Sequence, residues 1–108
     1  NCDVKKMSKS SISQFLKEMV SLLKMEAVGE PIIWEAPKHD EIHIEGISAL
    51  QWISTSNILV HTLSKTGLVL CNIFSCKPFD PQVASDFAKE FFNSGKIKSK
   101  IINRGKSD

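Results

Sequence analysis

The stretch WISTSNILVHTL, residues 52–63, decides the fold. Both of its ends are rich in Trp, Ile, Leu and Val, residue types that fill a pleated, half-buried surface. Between them Ser54, Thr55, Ser56 and Asn57 place small polar groups in a row, which is turn chemistry rather than core chemistry. The stretch therefore reads as two strands meeting at a tight bend. His61 enters inside the second apolar run, on the same strand face as Leu59 and Leu63, because successive side chains alternate.

Strand texture continues on both sides of this bend. PIIWEA is a short strand, EIHIEG alternates with Ile42 and Ile44 on one face, and ISALQWIS, NILVHTL and GLVLCNIFSC follow. Their separators, PKHD, Gly46, STSN and SKTG, are too short for parallel crossovers and predict antiparallel hairpins. Before the strands, Ile12, Phe15, Leu16, Met19, Leu22 and Leu23 recur at helical spacing. This predicts a helix over 8–28, capped by Ser10 or Ser11 and closed by Gly29 and Pro31. After the strands, Asp80-Pro81 is a helix start, with Asp as cap and Pro in the first turn. Val83, Phe87 and Phe91 form its apolar stripe, and Asn93, Ser94 and Gly95 end it. A last strand is expected over 96–102. The sum is an α+β fold, a two-layer α/β sandwich whose antiparallel sheet carries two helices on one face. Its other face then needs a cover, which a second subunit can supply.

At 108 residues the chain has the size of one domain, residues 1–108, able to bury about two-thirds of its unfolded surface. A net charge of +2 implies no polyanionic partner. The lysines of the closing KIKSKIINRGKSD alternate with apolar residues, as in a half-exposed strand, so no nucleic-acid role is expected. Cys2, Cys71 and Cys76 make an odd set with no C-x-x-C, which argues against a disulfide framework and a structural zinc site. Reduced thiols in a cytoplasmic protein are the expectation, with no metal. No signal peptide and no membrane-length apolar run is present, so no membrane partner is expected. The absence of an initiating methionine reads as an excerpt or a processed product.

Among reactive residues, HDEIH sets His39 and His43 four apart with Asp40 beside the first. The segment alternates like a strand after Pro37, so the imidazoles do not share a helical face, and they read as surface and turn histidines. His61 has two readings: a core histidine bonded to a backbone carbonyl, or a working acid–base group. Cys71 fits a small buried hydrophobe, whereas Cys76 stands at a strand end beside Ser75, a commoner place for reactive groups. No G-x-S-x-G surrounds Ser56, so a hydrolase-type nucleophile is not indicated. A different serine chemistry needs less. In a strained bend a serine hydroxyl can attack the preceding carbonyl, and β-elimination of the resulting ester splits the chain and leaves a pyruvoyl group.

At these residues the sequence resembles S-adenosylmethionine decarboxylase of the small prokaryotic class. The pattern comprises Ser56, the four residues NILV, His61-Thr62, then IFSC ending at Cys76, followed by Asp80-Pro81 and Arg104-Gly105. Upstream, EGISAL resembles the family's Gly-x-Ser segment and places Ser48 on its second processing serine, and the opening NCD resembles the end of the family's first strand. The resemblance implies self-cleavage between Thr55 and Ser56, giving a β chain of residues 1–55 and an α chain of residues 56–108. Ser56 would become the pyruvoyl cofactor, which forms a Schiff base with the substrate amine and acts as electron sink. His61 and Ser48 would serve processing, and Cys76 would donate the proton after decarboxylation. The family is dimeric, so a homodimer with its site near the subunit interface is implied.

Several positions depart from the family pattern. Thr55 and Asn57 flank the serine where Glu and His are usual, and Leu63, Ser64 and Lys65 replace an aromatic, a proline and a glutamate. Ile42 stands at the place of a stacking aromatic. Losing the ring and reversing the charge at Lys65 would each weaken adenosine binding by on the order of 1–3 kcal/mol. The expected function is a self-processing pyruvoyl-dependent decarboxylase of polyamine biosynthesis, with S-adenosylmethionine as default small-molecule substrate and ornithine or arginine as alternatives. Ile42 and Lys65 are its candidate substrate-binding residues. The rival is a catalytically silent, unprocessed homologue acting as a binding or partner subunit.

Overall fold

Apolar residues at three- and four-residue spacing form the first long helix, α1 (Lys9–Leu22), which turns Ile12, Phe15, Leu16, Met19 and Val20 inward. The computed structural model describes residues 4–35, 46–54, 56–63 and 66–94. A 3-10 turn (Val4–Met7) precedes α1 and buries Met7. Ser8 is the N-cap, its Oγ accepting from the Ser11 N–H at 3.2 Å, so the cap falls earlier than Ser10 or Ser11. The helix also ends earlier than position 28. Leu23 is its C-cap, and Lys24 takes the left-handed conformation (φ 57°), a backbone that stops helix propagation. The chain is thereby released to pair with the sheet.

The sheet is a meander in the order β1 (Ile32–Glu35), β2 (Ile47–Ile53), β3 (Ser56–Leu63), β4 (Leu68–Ser75), with every neighbouring pair antiparallel. Alternation sends Ile47, Ala49, Ile53, Ile58 and Val60 into the core beneath the helices. The second helix, α2 (Pro81–Phe91), starts as expected, with the Asp80 carboxylate accepting from the Gln82 N–H at 2.9 Å. Its inward face is Ala84, Phe87, Ala88 and Phe91, continued by Phe92, while Val83 is exposed, so the apolar stripe is rotated from the one expected. Phe15 joins the two helices. Its ring stacks on Phe87 at 5.4 Å and meets Phe91 and Phe92 at 5.2 and 4.8 Å. Contacts of this kind add about 0.5–1.5 kcal/mol each beyond area burial. The expected strand around Ile42 and Ile44, the expected strand over 96–102, and Cys2, His39, Asp40, His43, Arg104 and Gly105 lie outside the described residues.

The β2–β3 register is locked by one buried side chain. Thr62, 2% exposed, accepts the Ile47 N–H at Oγ1 (2.8 Å) and donates back to the Ile47 carbonyl (3.4 Å). Gly46 makes this approach possible, because a Cβ there would lie 1.7 Å from the Thr62 carbonyl oxygen. No real atom pair tolerates that distance, so any side chain at position 46 must push the two strands apart. Gly46→Ala is therefore expected to lower stability by about 3 kcal/mol or more, read as a shift in the urea midpoint. An unchanged midpoint would show that the strands do not meet this closely.

Candidate functional site

The register that Thr62 fixes puts Ser48 of β2 opposite His61 of β3. Both side chains point to the sheet face away from the helices, since their neighbours Ile47 and Thr62 point into the core. Ser48 Oγ and His61 Nδ1 lie 2.6 Å apart. With Nδ1 unprotonated the serine hydroxyl donates to it and the ring proton sits on Nε2, and the reverse tautomer makes the serine the acceptor. The pair is thus a hydrogen-bonded serine and histidine on the open sheet face, not a core histidine bonded to a carbonyl. Trp34 of β1 and Leu70 of β4 complete the same cross-strand row. The Trp34 indole is 57% exposed.

Ser56 is the first residue of β3, where the connection from β2 is only two residues long. It pairs with Ile53 on one side and Ser75 on the other, is half-buried, and has its Oγ 3.5 Å from the Asn57 side-chain amide. Cys76 follows Ser75 and is exposed. The Ser75 hydroxyl donates to the Lys77 carbonyl (2.9 Å) and accepts the Lys77 N–H (3.0 Å), closing a small turn around that cysteine. Ser56 and Cys76 therefore sit together at one end of the sheet, and Ser48 and His61 sit together towards the other.

His61 does not face Ser56 within the chain. Five steps of strand separate them, about 17 Å at the usual rise, and an odd number of steps puts them on opposite faces. Cys71 lies on the outermost strand of the described sheet with its residue surface accessible, yet burial pushes its thiol up to about 12, in keeping with a small apolar-side cysteine rather than a reactive one. Thr55, Ile42 and Lys65 lie outside the described residues. Among the described residues, no group of three His, Cys, Asp or Glu side chains comes together, and no helix is long and apolar enough to cross a membrane.

In the sequence Gly46 and Thr62 figure only as parts of the spacing; the structure gives them the task of setting the register, and adds Trp34 beside the serine–histidine pair. Thr62 had a signal, since a threonine in the buried phase of an apolar strand must find a backbone partner. Trp34 stands on the strand paired with Ser48, whereas the family pattern places its aromatic in the segment just before Ser48, at Ile42.

The crystal structure of the adenosylmethionine decarboxylase from Aquifex aeolicus VF5 superposes with a TM-score of 0.71 over 99% of this chain and 88% of that one, at 15% sequence identity, a likeness of fold. The sequence model of the S-adenosylmethionine decarboxylase family matches residues 1–105, and the chain belongs to that family. An S-adenosylmethionine decarboxylase proenzyme of Syntrophomonas wolfei is 29% identical over 62 residues, 56% of this chain and 49% of that protein, so the match spans about half the length of this curated relative.

The pair makes a direct prediction. In Ser48→Ala the nitrogen-15 resonance of His61 Nδ1 should move by more than that of Nε2, since only Nδ1 loses a partner. Equal or absent shifts would show that the pair does not form in solution.

Proposed function

We propose that this chain is a self-processing, pyruvoyl-dependent decarboxylase of S-adenosylmethionine, working in the cytoplasm in polyamine synthesis. The observation that carries the reading is the Ser48–His61 pair, 2.6 Å apart on the open sheet face, in a chain of this family whose Ser56 begins a strand at a two-residue turn.

Processing follows from the chemistry of that turn. Ser56 Oγ attacks the carbonyl carbon of Thr55; the C–N bond breaks as the ester C–O bond forms, and the freed amine takes the hydroxyl proton. A base then removes the Ser56 α-proton, and the Ser56 Cβ–Oγ bond breaks, so that Oγ leaves as part of the Thr55 carboxylate and residue 56 becomes a dehydroalanine. Tautomerisation and hydrolysis consume one water, release ammonia and leave the pyruvoyl group. The residues present fit the formation of that group, because the serine is half-buried at a turn with an amide donor beside its hydroxyl. When formed, the pyruvoyl carbonyl supplies the electron sink for loss of carbon dioxide. Cys76, exposed one step past the partner of Ser56, is the proton donor to the decarboxylated carbon.

His61 and Ser48 serve as base and relay, but about 17 Å of strand lies between them and the serine of their own chain. A homodimer resolves this. The open face exposes Trp34, Trp52, Leu70 and Phe74, each close to half exposed or more, a patch of the kind that marks an interface. If two copies pack these faces about a two-fold axis running across the strands, the Ser48–His61 end of one protomer lies over the Ser56–Cys76 end of its partner. Trp34 then also enters the composite site, where its indole offers a flat surface to a nucleobase or a sulfonium cation. That supports S-adenosylmethionine over ornithine or arginine despite the Ile42 and Lys65 departures.

The test is an intact-mass spectrum of the purified protein with an assay of carbon dioxide release from all three substrates. Two fragments meeting at Thr55-Ser56, with a carbonyl-reactive new N-terminus, are expected. Ser56→Ala should remain whole, and His61→Ala should cut slower by on the order of 10²–10⁴-fold. A wild-type chain that stays whole and releases no carbon dioxide would instead make this a silent partner subunit.

A further inference from the structure

The residues following α1 do not simply lead to β1. Glu26–Val28 return to the sheet and continue the ladder along the same edge of β2 that β1 occupies. The Val28 N–H donates to the Trp52 carbonyl at 2.8 Å and the Ser54 N–H to the Glu26 carbonyl at 2.9 Å, about an isolated antiparallel bridge between Ala27 and Ile53. Between this bridge and β1 the ladder is interrupted at Gly29 to Pro31. Gly29 is in the left-handed region (φ 75°), and Pro31 has no N–H to offer.

Gln51 spans the gap. It is 1% exposed, and its side-chain amide donates to the Gly29 carbonyl at 3.1 Å and to the Trp52 carbonyl at 2.8 Å. An amide in the buried phase of β2, among Ile47, Ala49 and Ile53, costs desolvation that an aliphatic residue would avoid. What it secures is the arm of the hairpin that enters the two-residue turn before Ser56. Residues 52, 53 and 54 are each held from this edge, right up to that turn.

We infer that Glu26–Gly29, latched by Gln51, is a clamp for self-cleavage. This rests on the processing reading above. The acyl shift needs Ser56 Oγ close to the preceding carbonyl carbon. Ser56 keeps that placement only if the strand entering the short connection before it cannot slide or fray. The clamp removes this freedom on the β2 side, while the β3 side is held by pairing with β2 and β4. Gln51 is thus a positioning residue for processing. Its amide is taken up by the Gly29 and Trp52 carbonyls, so it is given no part in substrate binding or decarboxylation. The same contacts keep the new C-terminal end of the first fragment docked after cleavage.

The test follows cleavage of full-length chain made by cell-free synthesis, sampled over time on denaturing gels. Gln51→Leu removes the latch. Gly29→Ala leaves the core untouched, because nothing lies within 4 Å of the added methyl, but strains the clamp backbone at φ 75°. Ile58→Val is the control for general loss of core packing. The stability of each variant is measured in a Ser56→Ala background, so that cutting does not confound it. Cleavage of Gln51→Leu and Gly29→Ala should slow by on the order of 10- to 100-fold, as for other small misplacements of reacting groups. Ile58→Val should cut like the wild type, and clamp variants that do mature should decarboxylate with unchanged kcat. If Gln51→Leu does not fold, Gly29→Ala decides alone. A wild type that cuts while the clamp variants keep pace with it overturns the clamp and leaves the processing reading standing. A wild type that never cuts overturns both.

Discussion

Everything in the site depends on one buried contact, the Thr62 hydroxyl shared with both backbone groups of Ile47 over the bare Cα of Gly46. Strand register is a two-valued choice for every side chain: a slip of one residue turns core positions out and surface positions in. Apolar alternation alone would bias that choice in β2 and β3. The threonine makes it unambiguous, since a slipped register would leave a buried hydroxyl and a backbone amide without partners, at about 1–3 kcal/mol for each unsatisfied group. With Thr62 facing in, His61 must face out, and with Ile47 opposite Thr62, Ser48 must be opposite His61. The serine–histidine pair is a consequence of core packing one residue away.

The same geometry divides the chemistry. A sheet presents one end of each strand to one region and the other end to another, and the four polar residues that matter are split between them. Ser56 and Cys76 belong to the turn end, beside Ile53 and Ser75, while Ser48 and His61 belong to the row of Trp34 and Leu70. In the homodimer proposed above each copy would carry two half-sites, and the apolar open face would supply the reason to associate.

The elements were legible in the sequence because their local signals are strong: the four strands with short separators, the heptad-like run of α1, and Asp80-Pro81. What escaped were decisions made by tertiary contact. Residues 23–28 carry enough apolar character to continue a helix, but Lys24 turns left-handed and Ala27 pairs with Ile53, a choice that only the edge of β2 can enforce. Val83 is as apolar as Phe87, yet the position of Phe15 between Phe87, Phe91 and Phe92 sets the rotation of α2 and leaves Val83 exposed. The candidate residues Ser48, Ser56, His61 and Cys76 come from the family's spacing. Their division between two ends of one sheet follows from strand pairing on either side of the short connection between Ile53 and Ser56. Gln51 could have been noticed as a polar residue in the buried phase of β2, but its partner, the Gly29 carbonyl, has no signature in sequence.

The central claim is that a complete site takes its two halves from two copies of the chain, and mixed dimers test it most directly. His61→Ala and Cys76→Ala each damage a different half. Co-expressed with separable tags, they should form hybrid dimers in which one of the two sites is intact. Random pairing makes half of the dimers hybrids, so the mixture should recover about a quarter of wild-type decarboxylation, and the isolated hybrid about half. A mixture no more active than its parents, with hybrid dimers present, would contradict the account and place all four residues in a single-chain site.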